Sequence, residues 1–434
     1  MWLSPDLPFA PRRVPFYYGW VVVVAATLGV LFSIPGQTMG VSVFTDPLLE
    51  ATGLGRSSFS FAYLLGTLGS AALLPRAGVV IDRVGVRVAA GASALALGAV
   101  LLVLAQADRA GAALAGLLGL SPSAGAFAVL AVLFVGLRFS GQGVLTLVSR
   151  TMIGRWFDAR RGRATAVSGL FVAFGFAYAP VLFEAWITRA GWRGAWTEMG
   201  FVVALAMTAV AFVFFREDPE SAGLVLDGGV TDSRAAGQAE LAFTRAEALR
   251  TRAFWVLTLA LALQGMVVTG ITFHVVDLGA ESGLAKREAI ALFPPLAVVS
   301  TSAGFVVGWL ADRVSLRALV LLFLGAETLG YAASAHLGHA VGLPLAALGL
   351  GVAGGCFSVL TTVGPPRLFG RRHLAAIAGS TMTVVVAGSA LGPLAMAGSR
   401  ELLGSYTPAL YLAAALPWLV GLGALRPLRP GGSA

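Results

Sequence analysis

Long apolar runs, broken by short charged or turn-rich gaps, organise the whole chain. They lie near residues 17–47, 57–81, 87–106, 126–150, 164–187 and 195–215, and again near 253–278, 288–311, 317–336, 343–366, 374–398 and 405–425. A helix needs about 20 apolar residues to cross a hydrocarbon core of about 30 Å, and each run meets that length. The pattern predicts an all-α membrane protein of twelve transmembrane helices, numbered here as spans 1–12 in chain order.

Composition agrees. The 434 residues are 57% hydrophobic and 12% charged, with a mean hydropathy of +0.85. Soluble domains carry about 25% charged residues, so a water-soluble enzyme of this length is excluded. The net charge of +9 suggests nucleic acid until the basic residues are located. Twenty Lys/Arg lie in the tails and in the gaps on one side, among them Arg160, Arg161, Arg163, Arg371 and Arg372, against seven in the opposite gaps; Arg76, Arg138 and Arg150 fall within spans. Positive residues mark the cytoplasmic side. Both termini are therefore expected in the cytoplasm, in a multi-pass protein of the cell (inner) membrane whose surroundings are lipid rather than nucleic acid. The opening MWLSPDLPFAPRRVPF leads into a run too long for a signal peptide and without a small-residue cleavage site, which predicts an uncleaved first span. The single cysteine, Cys356, permits no internal disulfide, and no cysteine cluster suggests a metal.

The expected organisation is a cytoplasmic tail (1–16), a six-helix bundle (17–216), a cytoplasmic linker (217–252), a second six-helix bundle (253–426) and a cytoplasmic tail (427–434). The linker opens with Asp218-Pro219, a helix stop, and runs through polar DGGVTDSRAAGQAE. Thr244 and Glu247 have capping-box spacing, so a short helix is predicted to start there and lead into span 7. The halves repeat: Gly78, Asp82, Arg83 and Arg87 in GVVIDRVGVR match Gly308, Asp312, Arg313 and Arg317 in GWLADRVSLR, at an offset of 230. Gly175 and Pro180 in span 5 match Gly388 and Pro393 in span 11 at an offset of 213, with Gly392 of the second string facing Ala179 of the first. An insertion in the gap from Ala107 to Gly125 reconciles the registers.

GVVIDRVGVR and its copy resemble the signature of the major facilitator superfamily, and the resemblance covers nearly the whole chain. It implies two pseudo-symmetric six-helix bundles around a central cavity. YYGWVVV, WFDARRGRATAVSG, GWRGAW, DPESAGL and TRAEALRTRAFWVL resemble its monocarboxylate and oxalate/formate porter branch more particularly. Carboxylate carriers of that branch hold a basic residue in span 8 and often another in span 11. Here both spans lack one and Gly304 stands near the expected place, which speaks against a small dianion such as oxalate. The resemblance also implies a conformational lock formed by Gly78, Asp82, Arg83, Arg87, Asp312, Arg313 and Arg317, with Asp82 set against span 11 and Asp312 against span 5. An acidic side chain can face the positive N-terminus of a neighbouring helix in this way.

Arg138, in the middle of span 4, is the leading candidate for substrate contact. A cation at the bilayer centre costs roughly 2.5–3.5 kcal/mol on insertion scales, so it should face the bundle interior or a wet cavity. The structural alternative is an arginine satisfied by backbone carbonyls and Gln142. Gln142, Gln37, Tyr63 and His274 complete the candidate substrate contacts. Candidates for carrying a coupling proton are Glu327, ten residues into span 9, and His274 and Glu184, near the outer ends of spans 7 and 5. The bland alternatives are a neutral buried glutamate and two interfacial residues. His336 and His339 lack a third metal ligand, and neither metal nor cofactor is expected. Gly175, Pro180, Gly388, Gly392 and Pro393 mark possible helix breaks, since proline leaves a carbonyl of the preceding turn without its partner; close packing is the alternative.

These observations predict a secondary active transporter, expected as a monomer, that moves a small organic solute by alternating access. A monocarboxylate-like anion is the favoured cargo and a proton the candidate coupling ion. The alternative is an exporter of lipophilic compounds. An intramembrane enzyme would need a nucleophile and base or metal ligands at matching depth, and a sensor would usually add a soluble domain; the sequence shows neither.

Overall fold

The structure is a computed structural model and describes residues 4–229, 241–426 and 428. The rest of the expected linker (230–240) and nearly all of the C-terminal tail (427–434) lie outside the described residues. Among those described, ten helices are long and apolar enough to cross a membrane. One of these, Arg161–Phe214, runs for 54 residues and holds two spans, parted by non-helical backbone at Gly191 (φ 69°, ψ 165°). Gly19–Phe32 begins a further span. Among the described residues the spans therefore number twelve.

Local chemistry explains several ends. Ser121 caps span 4, its Oγ accepting from Ala124 N at 3.3 Å with Pro122 at the first helical position. Thr251 caps span 7 and Ser315 caps span 9 in the same manner. Thr244 and Glu247 form the expected capping box over a short helix, Arg245–Leu249. Gly53, Gly119 and Gly404 end helices in the left-handed region that glycine enters without strain.

One expectation needs correction, and one gap proves to hold a helix. Span 1 is not continuous over 17–47. Its helix stops at Phe32, passes through a 3-10 turn at Ile34–Gly36, and resumes as Thr38–Ser42 and Thr45–Thr52. Pro35 cannot donate to the preceding turn and Gly36 adds freedom there, so the apolar run outlasts the helix. The gap after span 3 holds a helix, Ala107–Leu118, whose Gly111 and Ala115 pack against Gly125 and Ala126 at the start of span 4. Span 4 itself is long: Pro122–Trp156 has 35 residues, about 52 Å at 1.5 Å per residue.

The chain divides into two compact units, residues 1–152 with 171–228, and residues 153–170 with 229–434. In the first, Phe134 lies edge-on to Phe59 and Tyr63, while Phe44 packs on Trp196 at 4.7 Å. Apolar clusters of the second, among the described residues, gather around Phe254, Phe323, Leu360 and Phe369 and around Ile271, Tyr331, Leu350 and Leu410.

Candidate functional site

In the first unit the break in span 1 meets a second irregularity in span 4. Residues Arg138–Leu145 form a π-helical segment, the wider turn that inserts a residue into an α-helix and often occurs at functional sites. The two backbones touch here: a Cβ on Gly36 would lie 2.7 Å from the carbonyl oxygen of Leu137 and 2.8 Å from Cα of Gly141. The break thereby brings a free carbonyl and a run of hydroxyls onto the π segment.

Arg138 is 2% exposed and uses that junction. Its Nη1 donates to the carbonyl of Gly36 and to Oγ1 of Thr38, both at 3.3 Å, and its guanidinium lies 5.2 Å from the ring centroid of Tyr63. Tyr63 donates to Thr38 at 3.0 Å, which fixes the acceptor that holds the arginine. Gln37 reaches Oγ of Ser33 (3.0 Å) and Oγ1 of Thr146 (3.4 Å), and those hydroxyls bond each other at 3.1 Å. Arg138 Nε and Gln142 Oε1 are both buried without a partner. Arg138, Gln37, Tyr63 and Gln142 therefore share one neighbourhood, but Gln142 does not satisfy the arginine. Thr38, Ser33 and Thr146 belong to it too. Their sequence signal was a set of hydroxyls beside Pro35-Gly36 and Gly141.

The other candidates lie elsewhere. His274 is in the second unit, at a non-helical position of span 7 (φ −106°, ψ 15°). Its Nε2 lies 3.1 Å from the carbonyl of Pro393 and its Nδ1 3.4 Å from the hydroxyl of Tyr406. A carbonyl only accepts, so Nε2 is the donor of the first contact. Tyr406 N bonds Glu281, which pairs with Arg400 at 3.1 Å. Glu327 is fully buried. The hydroxyl of Tyr331 lies 3.2 Å from its Oε1 and 3.1 Å from Oε1 of Gln264 on span 7, while Glu327 Oε2 has no partner. Glu184 lines an open pocket of about 970 Å³ in the first unit with Ser42, Val43, Pro180 and Thr188.

Neither proline interrupts its helix. Span 11 is continuous over Leu374–Leu403 through Pro393, and span 5 is helical through Pro180. The accompanying glycines are contact points instead: a Cβ on Gly175 would strike Leu31, and one on Gly392 would strike the Met266 carbonyl. The glycines of both strings thus permit close approach of neighbouring spans.

At the end bearing the repeated signature, the Asp312 side chain is 3% exposed and accepts from the backbone amides of Gly162 (2.7 Å) and Arg163 (3.1 Å), at the start of span 5. Arg163 adds an ion pair at 3.6 Å. Gly308 and Gly162 permit this approach, since a Cβ on Gly308 would lie 2.6 Å from that of Ala166. Burial pushes the Asp312 carboxyl above its ordinary range, against the pull of the two amides and of Arg367 and Arg163. Arg313 stacks on Trp309 at 3.6 Å. Arg317 leaves its Nε buried without a partner, whereas Arg87 bonds the carbonyls of Phe215, Ser4 and Leu7.

Twelve spans, a repeated Gly-x-x-x-Asp-Arg signature and an aspartate docked on the start of span 5 describe one fold, and residues 25–393 match the Major Facilitator Superfamily. The chain belongs to that superfamily. Its members are transporters, so this is a membrane transporter and not an enzyme. The superfamily fold also appears in solved structures. The chain is similar to the human organic anion transporter MFSD10 (TETRAN), at 17% identity over 94% of this chain and 99% of that one, with a TM-score of 0.63. It is similar to the proton:xylose symporter XylE, at 14% identity over 93% and 94%, with a TM-score of 0.65. A bacterial homologue of the iron transporter ferroportin gives 17% identity over 93% and 98%, with a TM-score of 0.65. No curated protein matches the sequence closely enough to serve as a relative.

Proposed function

We propose that this superfamily member is a secondary active transporter of a small organic anion carrying one carboxylate, with Arg138 as the cationic contact. The observation that carries the reading is a buried guanidinium that no carboxylate among the described residues pairs with. It is held in place by a carbonyl, a hydroxyl and a ring, with its Nε and the neighbouring Gln142 Oε1 unpartnered. An uncompensated cation in a low-dielectric setting favours an anion that can take two of its donors. Spans 8 and 11 supply no second cation, which suits a monocarboxylate better than a dianion. The fold itself serves cargoes as different as organic anions, xylose and iron, so the choice rests on the site.

In this reading both termini are cytoplasmic, the two repeated halves alternate access, and Asp312 with its signature partners is a lock. Glu327, His274 and Glu184 are the groups that would carry a coupling proton. A second reading, export of a lipophilic compound, draws on Phe171, Phe174 and Tyr178, which form an exposed stripe along span 5. Thermal unfolding of the purified protein separates the two. Propionate, lactate and benzoate are compared with propionamide, lactamide and benzamide. A carboxylate present at 100 times its Kd should stabilise by about 2.7 kcal/mol while its amide does nothing. Equal stabilisation by acid and amide would overturn the anion reading.

A further inference from the structure

The expected N-terminal tail has a built place in the first unit. Arg216, 1% exposed, donates from Nε to the carbonyl of Pro5 (2.7 Å) and from Nη2 to those of Leu7 (2.9 Å) and Phe9 (3.1 Å). Its Nη1 holds the carbonyls of Val213 and Phe215 at the end of span 6. Arg87, 8% exposed at the start of span 3, donates to Ser4 (3.1 Å), Leu7 (2.6 Å) and Phe215 (3.1 Å). The ring of Phe9 sits edge-on to Tyr18 and Phe214 and 5.4 Å from the Arg216 guanidinium, and Tyr18 donates to the carbonyl of Phe214. Glu217 accepts from Val86 N at 2.7 Å, closing span 6 onto span 3.

Two buried guanidiniums thus spend their donors on backbone carbonyls of the tail and of span 6. This is costly burial unless the carbonyls are present, because a guanidinium has no neutral form to retreat to. Among the described residues the equivalent arginine of the second repeat, Arg317, has no such set, and residues 243–245 before span 7 bond elsewhere, with Phe243 N on the Phe369 carbonyl and Arg245 on Ser380. The same signature position serves different ends in the two halves.

We propose that residues Ser4–Tyr18 form a strap that fastens the signature ends of spans 1, 3 and 6 to one another, with Arg87 and Arg216 as its two rivets. The inference is independent of the cargo. It makes the strap a control point: anything that lifts the tail frees both arginines and loosens three spans together.

The test uses the full chain in detergent, in a Cys356→Ala background, with a single cysteine at Ala10 or at Arg12. Ala10 is 5% exposed and the Arg12 side chain 63%. Maleimide should label Ala10→Cys at least about ten-fold more slowly than Arg12→Cys, the ratio that limits reaction to local opening. Adding Arg216→Ala should bring the two rates close together. Phe9→Ala is the second variant, since it weakens the strap without altering a residue of any span. In both variants hydrogen exchange should quicken at 85–90 and 213–220 and stay unchanged in the second unit. Equal labelling in the parent would overturn the proposal. So would slow labelling of Ala10→Cys that persists in both variants, or unchanged exchange at the two span ends.

Discussion

Replacing Asp312 by alanine tests the proposed lock in isolation. The side chain is almost wholly buried and accepts from two amides in the first turn of span 5. Its ionic energy cannot be counted in full, because burial already holds the carboxyl above its ordinary range. The effect therefore rests on the amides left behind. That of Arg163 is exposed and finds water, while that of Gly162 is partly buried and does not. One orphaned amide costs about 1–3 kcal/mol, a factor of roughly 5 to 150 in the equilibrium between a closed and an open lock. Thr165, 5% exposed, reports on closure as Thr165→Cys in a Cys356→Ala background. Its maleimide labelling should rise by that factor in Asp312→Ala and by less in Asp312→Asn, which keeps one acceptor. The pH dependence has a definite sign. A carboxyl whose pKa is raised when the lock is closed gives a contribution fully present below its ordinary pKa and lost as pH rises through the raised one. Labelling, corrected for thiol reactivity with an exposed cysteine, should slow as pH falls through the acid range. An unchanged rate in Asp312→Ala, or faster labelling in acid, would rule out a lock at Asp312.

Three further outcomes follow from named contacts. Gly36→Ala places a methyl against the backbone of Leu137 and Gly141, which neither can yield by a rotamer change; destabilisation of about 1–3 kcal/mol and loss of ligand binding are expected in thermal unfolding and binding assays. Tyr331→Phe removes the hydroxyl between Glu327 and Gln264 and leaves buried acceptors unpaired, which should lower stability by about 1–3 kcal/mol; an unchanged unfolding midpoint would remove the network from the account. An epitope inserted within 217–252 should be reached by antibody only from the cytoplasm, and one at the turn Gly119–Ser121 only from outside; the reverse pattern would invert the proposed orientation.

The fold was readable because its physics is one-dimensional. A span must be long and apolar, and residues such as Ser121, Thr251, Ser315 and Gly404 mark its ends by their own chemistry. Span 1 was misread where apolarity and helicity part company: Ile34-Pro35-Gly36 is apolar enough for a membrane and unsuitable for a helix. The helix Ala107–Leu118 was hidden for the opposite reason, being a helix too short and too small in its residues to stand out as a run. Arg138 announced itself as a charge inside a span. Its setting did not, because a π segment leaves the hydrophobic pattern unchanged and its partners are a backbone carbonyl and Thr38. The strap was invisible for the same reason: Arg87 and Arg216 bond carbonyls, which every residue possesses, so no pairing of side-chain types betrays the contact. Pro180 and Pro393 sit within continuous helices whose glycines meet neighbouring spans, a distinction that the residue types alone do not make.

The central claim is that Arg138 recognises a carboxylate, and the most direct measurement is binding of a stabilising carboxylate and its amide to wild type, Arg138→Lys and Arg138→Gln, each checked for folding. The lysine keeps the charge but loses the planar fork, so affinity for the carboxylate should fall; the glutamine removes the attraction and should abolish binding, a loss of about 2–5 kcal/mol for a buried charge pair. The amide should bind poorly throughout. Acid and amide binding wild type equally, and weakening together in both variants, would contradict the claim and leave Arg138 as a structural brace between spans 1 and 4.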